Sequence, residues 1–266
     1  MSALTDRLDE IRGEGRAALI GYLPVGYPDV ETSIRAMVAM VESGVDIVEV
    51  GPPYSDPVLD GPVIQLAAAH ALEGGVRLSD AFRAVRAIAD AGATPVVMSY
   101  FNPMLQYGLE RFAADLVEAG GAGVITPDLT PDVGEEWITA ARAKDLDTIF
   151  LVAPSTTRER MHLTAAASRG FVYATPLMGV TGERAAVGDA AERVVAEARE
   201  AGAERVCVGV GVSTGAQAAE IARFADGVIV GTAFVRCLTE AATPDEGIEA
   251  LRRKVSELAE GVRSPR

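Results

Sequence analysis

Ala18-Leu19-Ile20-Gly21-Tyr22-Leu23-Pro24-Val25-Gly26-Tyr27-Pro28 is the stretch on which the fold turns. Its first six residues are nearly continuous in apolar side chains, the pattern of a strand buried on both faces. The turn that follows carries two prolines and one glycine. A dinucleotide-binding open sheet would place Gly-x-Gly-x-x-Gly there, to bring backbone N–H groups against a pyrophosphate. Its absence favours a barrel over a doubly wound sheet. Working outward, similar runs recur at Val45–Val50, Pro95–Tyr100, Ala122–Thr126, Thr148–Ala153, Phe171–Thr175, Arg205–Val210 and Asp226–Val230. Helix-periodic segments lie between them. The eight runs therefore predict a (β/α)8 TIM barrel, one domain over residues 1–266, with an extra N-terminal helix at Leu4–Arg12.

The intervening segments carry apolar stripes, such as Phe112, Leu116 and Val117, or Ala191, Val194, Val195 and Ala198. Ala91-Gly92, Ala119-Gly120 and Ala201-Gly202 read as helix C-caps. A length of 266 residues suits a barrel, and 49% hydrophobic with 23% charged residues suits a large core. The net charge of −14 argues against nucleic acid and anionic membranes as partners. It does not exclude a phosphorylated small molecule, because backbone N–H groups can hold one phosphate. No apolar run approaches the roughly 18 residues of a membrane span, and the N-terminus is acidic where a signal peptide is cationic. A cytoplasmic protein is expected.

Scarce residue types exclude chemistries. His70 and His162 are the only histidines and each lies in a helix-like stretch, so no metal site and no Ser-His triad is expected. Lys144 and Lys254 are the only lysines, both in segments read as polar helix, whereas a Schiff-base aldolase needs a lysine in a dry pocket. Cys207 and Cys237 match no zinc spacing and read as buried free thiols.

Barrel chemistry sits at the C-terminal ends of the strands. The second run ends Val45-Asp46-Ile47-Val48-Glu49-Val50-Gly51. Alternation points Ile47 and Glu49 to one face, which puts a carboxylate in the barrel mouth among apolar neighbours. Desolvation there raises its pKa and makes a group that can donate and accept a proton near neutral pH. The competing reading is a structural glutamate paired with an arginine or a backbone N–H. The next loop is stiffened by Pro52, Pro53, Pro57 and Pro62, and Asp60-Gly61-Pro62 reads as a turn into a helix. Asp60 is then either an N-cap or a second carboxylate offered to a ligand. Gly209-Val210-Gly211-Val212-Ser213 and Gly231-Thr232 fall in the loops after the last two strands, where such barrels often bind phosphate.

The run Glu49-Val50-Gly51-Pro52-Pro53-Tyr54-Ser55-Asp56-Pro57-Val58-Leu59-Asp60-Gly61-Pro62-Val63-Ile64-Gln65 closely resembles the signature of the tryptophan synthase α chain family. The likeness continues in order and spacing. It includes Gly26-Tyr27-Pro28-Asp29, Tyr100-Phe101-Asn102-Pro103, Pro127-Asp128-Leu129, Gly179-Val180-Thr181-Gly182 and Gly231-Thr232-Ala233.

The resemblance implies a lyase that splits indole-3-glycerol phosphate into indole and glyceraldehyde 3-phosphate in tryptophan biosynthesis. Glu49 would be its principal acid/base and Asp60 its second carboxylate. Tyr22, Ile64, Tyr100, Leu129, Tyr173 and Val210 would line the indole pocket, Thr181 would join the substrate site from the lid near Asp60, and Gly182, Gly211, Gly231 and Thr232 would bind the phosphate. Ser55, Asp56 and Pro57 would meet a β subunit in an α2β2 heterotetramer. That subunit would carry pyridoxal phosphate, and this chain would need no cofactor. Pro176-Leu177-Met178 departs from the family, many of whose members have a serine and an arginine just before the Gly179–Gly182 lid. Two alternatives share these residues: a stand-alone indole-3-glycerol phosphate lyase and a weakly active binding or regulatory subunit.

Overall fold

A computed structural model describes residues 2–175 and 184–263, the side chains of the second stretch from 188 onward. Helix α1 (Ala3–Gly13) leads into β1 (Ala18–Pro24) and α2 (Val30–Glu42). Strand β2 (Ile47–Gly51) precedes α3 (Pro62–Glu73) and α4 (Leu78–Asp90), and β3 (Thr94–Met98) precedes α5 (Phe101–Tyr107) and α6 (Leu109–Glu118). Next come β4 (Gly123–Ile125), α7 (Glu135–Arg142), β5 (Asp147–Ile149), β6 (Leu151–Val152) and α8 (Arg158–Ala167). The rest is β7 (Val172–Ala174), α9 (Arg184–Glu200), β8 (Val206–Gly209), α10 (Gly215–Ile221), β9 (Gly227–Val230), α11 (Thr232–Thr239) and α12 (Pro244–Val262).

The strands are parallel in the order β5-β4-β3-β2-β1-β9-β8-β7-β6. The two ends of that order, β5 and β6, are separated by Phe150 alone, so the chain itself closes a (β/α)8 barrel. The run expected as one strand, Thr148–Ala153, is thus divided between two neighbours. Barrel strands are staggered. Strand β4 therefore pairs with the first part, ending Ile125↔Ile149, and β7 with the second, beginning Leu151↔Tyr173.

Alternation sorts the side chains. Ile20, Ile47, Val96, Ile125, Ile149, Tyr173, Cys207 and Ile229 meet inside the barrel, while Leu19, Val48, Val97, Val124, Val172, Val208 and Val228 face the helices. Helix α1 closes the bottom by adding Leu4, Leu8 and Ile11 to the interior. Burying each such aliphatic side chain contributes roughly 1.5–3 kcal/mol. A one-residue slip of any strand would forfeit several of these terms, which is why the inner row can be read from sequence.

Acids at the bottom of the barrel are partnered. Asp46 pairs with Arg16 at 2.7 Å and Arg7 at 3.0 Å and accepts the Leu19 N–H. Asp226 pairs with Arg12 and Arg199 and accepts the Val206 N–H. Arg205 makes two hydrogen bonds to Asp9 of α1.

Gly92, Gly120 and Gly202 have φ of 90°, 94° and 102° just past their helices, as the C-cap reading requires. Three expectations are corrected. Val117 is 41% exposed rather than part of the stripe, because it lies about 140° around the helix from buried Phe112. Lys144 is in the turn after α7 rather than in a helix. Cys237 is only partly buried, on α11, whereas Cys207 is fully buried inside the barrel.

Candidate active site

Strand β2 sets the centre of the site. Glu49 stands opposite Tyr22 of β1 and Val96 of β3 and is 1% exposed. Its Oε1 is buried with no hydrogen-bond partner among the described residues. Burial pushes its pKa up to about 8, so near neutral pH the group carries its proton. The arginine or backbone N–H that a structural glutamate would need is not found among the described residues.

Tyr22 leans across Gly51, where a Cβ would run into its ring. Glycine at this strand end is what allows a tyrosine beside Glu49. Tyr173 enters from β7, and burial raises both phenols well above their ordinary pKa, which keeps them neutral hydrogen-bonding groups.

The loop after β2 brings the second carboxylate. Pro62 opens α3 and Gly61 is its N-cap, without any side-chain cap. Asp60 is therefore not the cap, and its carboxylate lies within 3.3 Å of the Tyr100 hydroxyl, which donates to it. Burial raises the Asp60 pKa, and this hydrogen bond opposes the rise. The same hydroxyl accepts the N–H groups of Val58 and Leu59, each at 3.1 Å. The Tyr100 ring packs against Tyr54 at 5.1 Å, and Asn102 bonds the Tyr54 hydroxyl.

Glu49 and Asp60 share a cavity of about 270 Å³. Tyr22, Ile64, Met98, Leu151, Tyr173 and Ile229 make its apolar walls, and Gly211, Gly231 and Thr232 form one end. That end suits an anion. Gly231 caps α11 with no side-chain hydrogen bond, so the first N–H groups of the helix remain available at its positive end. The neighbouring α10 differs, because Thr214 and Gln217 already satisfy its N-terminus in a capping box. Gly211 has φ of 71°, a conformation that glycine adopts without strain. The arrangement offers a proton carrier, an anion and an anion-binding corner around one apolar slot.

A family model for tryptophan synthase alpha chains matches residues 8–263. The tryptophan synthase alpha chain of Thermobifida fusca is 54% identical over 99% of both chains, and that of Mycobacteroides abscessus is 57% identical over 98% of this chain and 97% of its own. Among solved structures, tryptophan synthase of Mycobacterium tuberculosis superposes with a TM-score of 0.92 at 54% identity, covering 98% of each chain. The alpha subunit from Legionella pneumophila superposes at 0.90 with 29% identity, again over 98% of each. This chain belongs to the tryptophan synthase alpha chain family.

Within that family likeness, the structure places the expected residues unevenly. Glu49, Asp60, Tyr22, Ile64, Tyr173, Gly211, Gly231 and Thr232 all line the cavity. Thr181 and Gly182, with Pro176-Leu177-Met178, lie outside the described residues. Three expected walls are elsewhere. Tyr100 caps α5 and reaches Asp60 through its hydroxyl, Leu129 is buried in the outer shell beside Gly134, and Val210 packs outward against that shell. Ser55 and Asp56 are exposed and bonded to each other, and Pro57 is half-buried beside them.

Reading the residues for themselves missed Met98, Leu151, Thr175 and Ile229. The signal was present in the two-residue period: each continues the inward row of Val96, Ile149, Tyr173 or Gly227. The same parity turns Val210 outward, between Gly209 and Gly211. Neither lysine lines the cavity. Lys144 is exposed, and Lys254 is bound to Glu257 at 2.7 Å and to the Ser213 carbonyl. His70 bonds the Pro28 carbonyl and His162 the Ala201 carbonyl, both on outer helices. Among the described residues no cluster of His, Cys, Asp and Glu could hold a metal, and no helix is long and apolar enough to cross a membrane.

Proposed function

We propose that Glu49 and Asp60 carry out the cleavage of indole-3-glycerol phosphate to indole and glyceraldehyde 3-phosphate, with the phosphate at Gly211, Gly231 and Thr232. As a tryptophan synthase alpha chain, the protein is a carbon–carbon lyase. The observation that carries the assignment of roles is a buried Glu49, its Oε1 unpartnered among the described residues, sharing with Asp60 a slot that ends at the open N-terminus of α11.

Indole is a poor leaving group until its ring is protonated. Glu49 delivers its proton to the ring carbon that bears the side chain, giving an indolenine-like cation. Asp60 accepts a hydrogen bond from the ring N–H and stabilises the positive charge that spreads there. The Glu49 carboxylate then removes the proton of the adjacent side-chain hydroxyl. The C–C bond breaks, its electron pair returns to the ring, the hydroxyl carbon becomes an aldehyde, and Glu49 ends protonated. The balance closes on one proton that leaves and returns, so the chain needs no cofactor of its own. Thr181 and Gly182 would complete the cover and the phosphate site.

The partner surface is the rim formed by the loops after β2, β3 and β4. Ser55, Asp56 and Pro57 lie there, with Val58, Leu105 and Val133 exposed at 72%, 46% and 71%. Tyr100, Asn102 and the capping of Phe101 by Asp128 tie the three loops together. A β subunit carrying pyridoxal phosphate docks on this rim, in an α2β2 assembly in the cytoplasm, and receives the indole.

The test is indole release from indole-3-glycerol phosphate, with and without a tryptophan synthase β subunit. Slow release that the β subunit strongly accelerates is the expected result. Fast release unaffected by it would favour the stand-alone lyase, and none under either condition would make the chain a binding subunit.

A further inference from the structure

From the bonding of one hydroxyl we infer that Tyr100 is the positioning residue for Asp60, holding the carboxylate as an anion and pinning the loop that carries it. The inference rests on the role just proposed for Asp60 but adds a residue with its own function. A phenol offers one proton and two acceptor positions. Both acceptor positions of Tyr100 are filled, by the Val58 and Leu59 N–H groups at 3.1 Å. The proton has one remaining direction, toward Asp60 Oδ2 at 3.3 Å. A hydroxyl so committed can only donate to Asp60, and a donor stabilises the ionised carboxylate over the acid. The ring is 6% exposed, clamped against Tyr54 and anchored where Phe101 N–H meets Asp128 at the start of α5, so the hydroxyl is held from behind.

This gives the two carboxylates opposite protonation states by different means. Glu49 Oε1 has no donor among the described residues, and burial favours its neutral form. Asp60 has a donor whose proton is directed at it. Its other titratable neighbours among the described residues are Tyr22 from β1, Glu49 from β2 and Tyr173 from β7, and in the proton-loaded site none of the three carries charge. Tyr100 is then the group that opposes the effect of burial on Asp60 and favours its ionised form. It is not among the residues that line the cavity and acts through Asp60 and the loop that carries it.

The experiment is the pH dependence of kcat for indole release by the full chain, in the wild type, Tyr100→Phe and Asp60→Asn. Tyr100→Phe should lower kcat by roughly 10- to 100-fold, with KM changing far less. It should also move the acid limb of the profile up by roughly one pH unit while leaving the alkaline limb, which reports Glu49, in place. Loose packing alone would lower the amplitude without moving one limb. Unchanged kcat and limbs in Tyr100→Phe, alongside an inactive Asp60→Asn, would overturn the role of Tyr100 and leave that of Asp60 intact. Wild-type rates in Asp60→Asn would instead remove the reading on which this one rests. If Tyr100→Phe does not fold, 3-fluorotyrosine at position 100 keeps the shape with a more acidic proton. The acid limb should then move down, and a limb that stays put counts against the proposal.

Discussion

Asp46 and Glu49 lie three residues apart, Asp46 just before β2 and Glu49 at its middle, and both are buried, at 4% and 1% exposure. Asp46 meets two arginines and a backbone N–H, while Glu49 meets tyrosines, aliphatic side chains and an open cavity. The first is a charge matched on every side, and removing a partner from such a pair strands the other. The second is left unmatched, at a cost to the fold, and so holds a proton that it can lend. The same division separates the two ends of the barrel. The bottom, sealed by α1 and its ion pairs, is built for stability, and the top for chemistry.

The largest effect that can break this comparison is on turnover. Glu49→Gln should reduce indole release by roughly 10²–10⁴-fold while leaving the thermal midpoint equal or higher, because the amide cannot ionise. Near-wild-type turnover would mean that the unmatched acid is not the working one. The next effect is on stability against pH. Glu49 keeps its proton to about pH 8 when folded but releases it near the ordinary glutamate value of 4.5 when unfolded. Between those values the folded state holds the extra proton, so stability falls as pH rises. Urea titrations of wild type and Glu49→Gln should diverge across that window by on the order of a few kcal/mol. Parallel curves would show that burial does not shift Glu49. The smallest is at the bottom: Arg16→Ala should cost roughly 1–3 kcal/mol, since Arg7 and the Leu19 N–H still hold Asp46. Turnover of the folded fraction should not change, and a matching loss of activity would show that the two ends are not separable.

Most of the architecture was legible because its signal is local. Apolar runs, the glycines after helices, Pro62 at the start of α3 and the alternation that pairs Glu49 with Ile47 are set by neighbours a few residues apart. Each survives into the structure. What escaped depends on how distant segments meet. Tyr100 continues the inward row of β3 in sequence, but the chain leaves the strand before it, so Met98 takes the wall and Tyr100 turns to the neighbouring loop. The division of β5 from β6 follows from barrel stagger, which is a property of the closed sheet and not of any one strand.

Local signals in the chain specify the eight strand runs, the inward placement of Glu49, the stiff loop that delivers Asp60 and the glycines at the anion-binding end. These follow from side-chain size, backbone freedom and a period of two. The assembled barrel settles which inward residues border open space. It also leaves Glu49 Oε1 without a hydrogen-bond partner among the described residues and directs the Tyr100 hydroxyl proton at Asp60. Those facts depend on what distant segments bring within 3 to 4 Å, and the protonation of a buried group is set at that range.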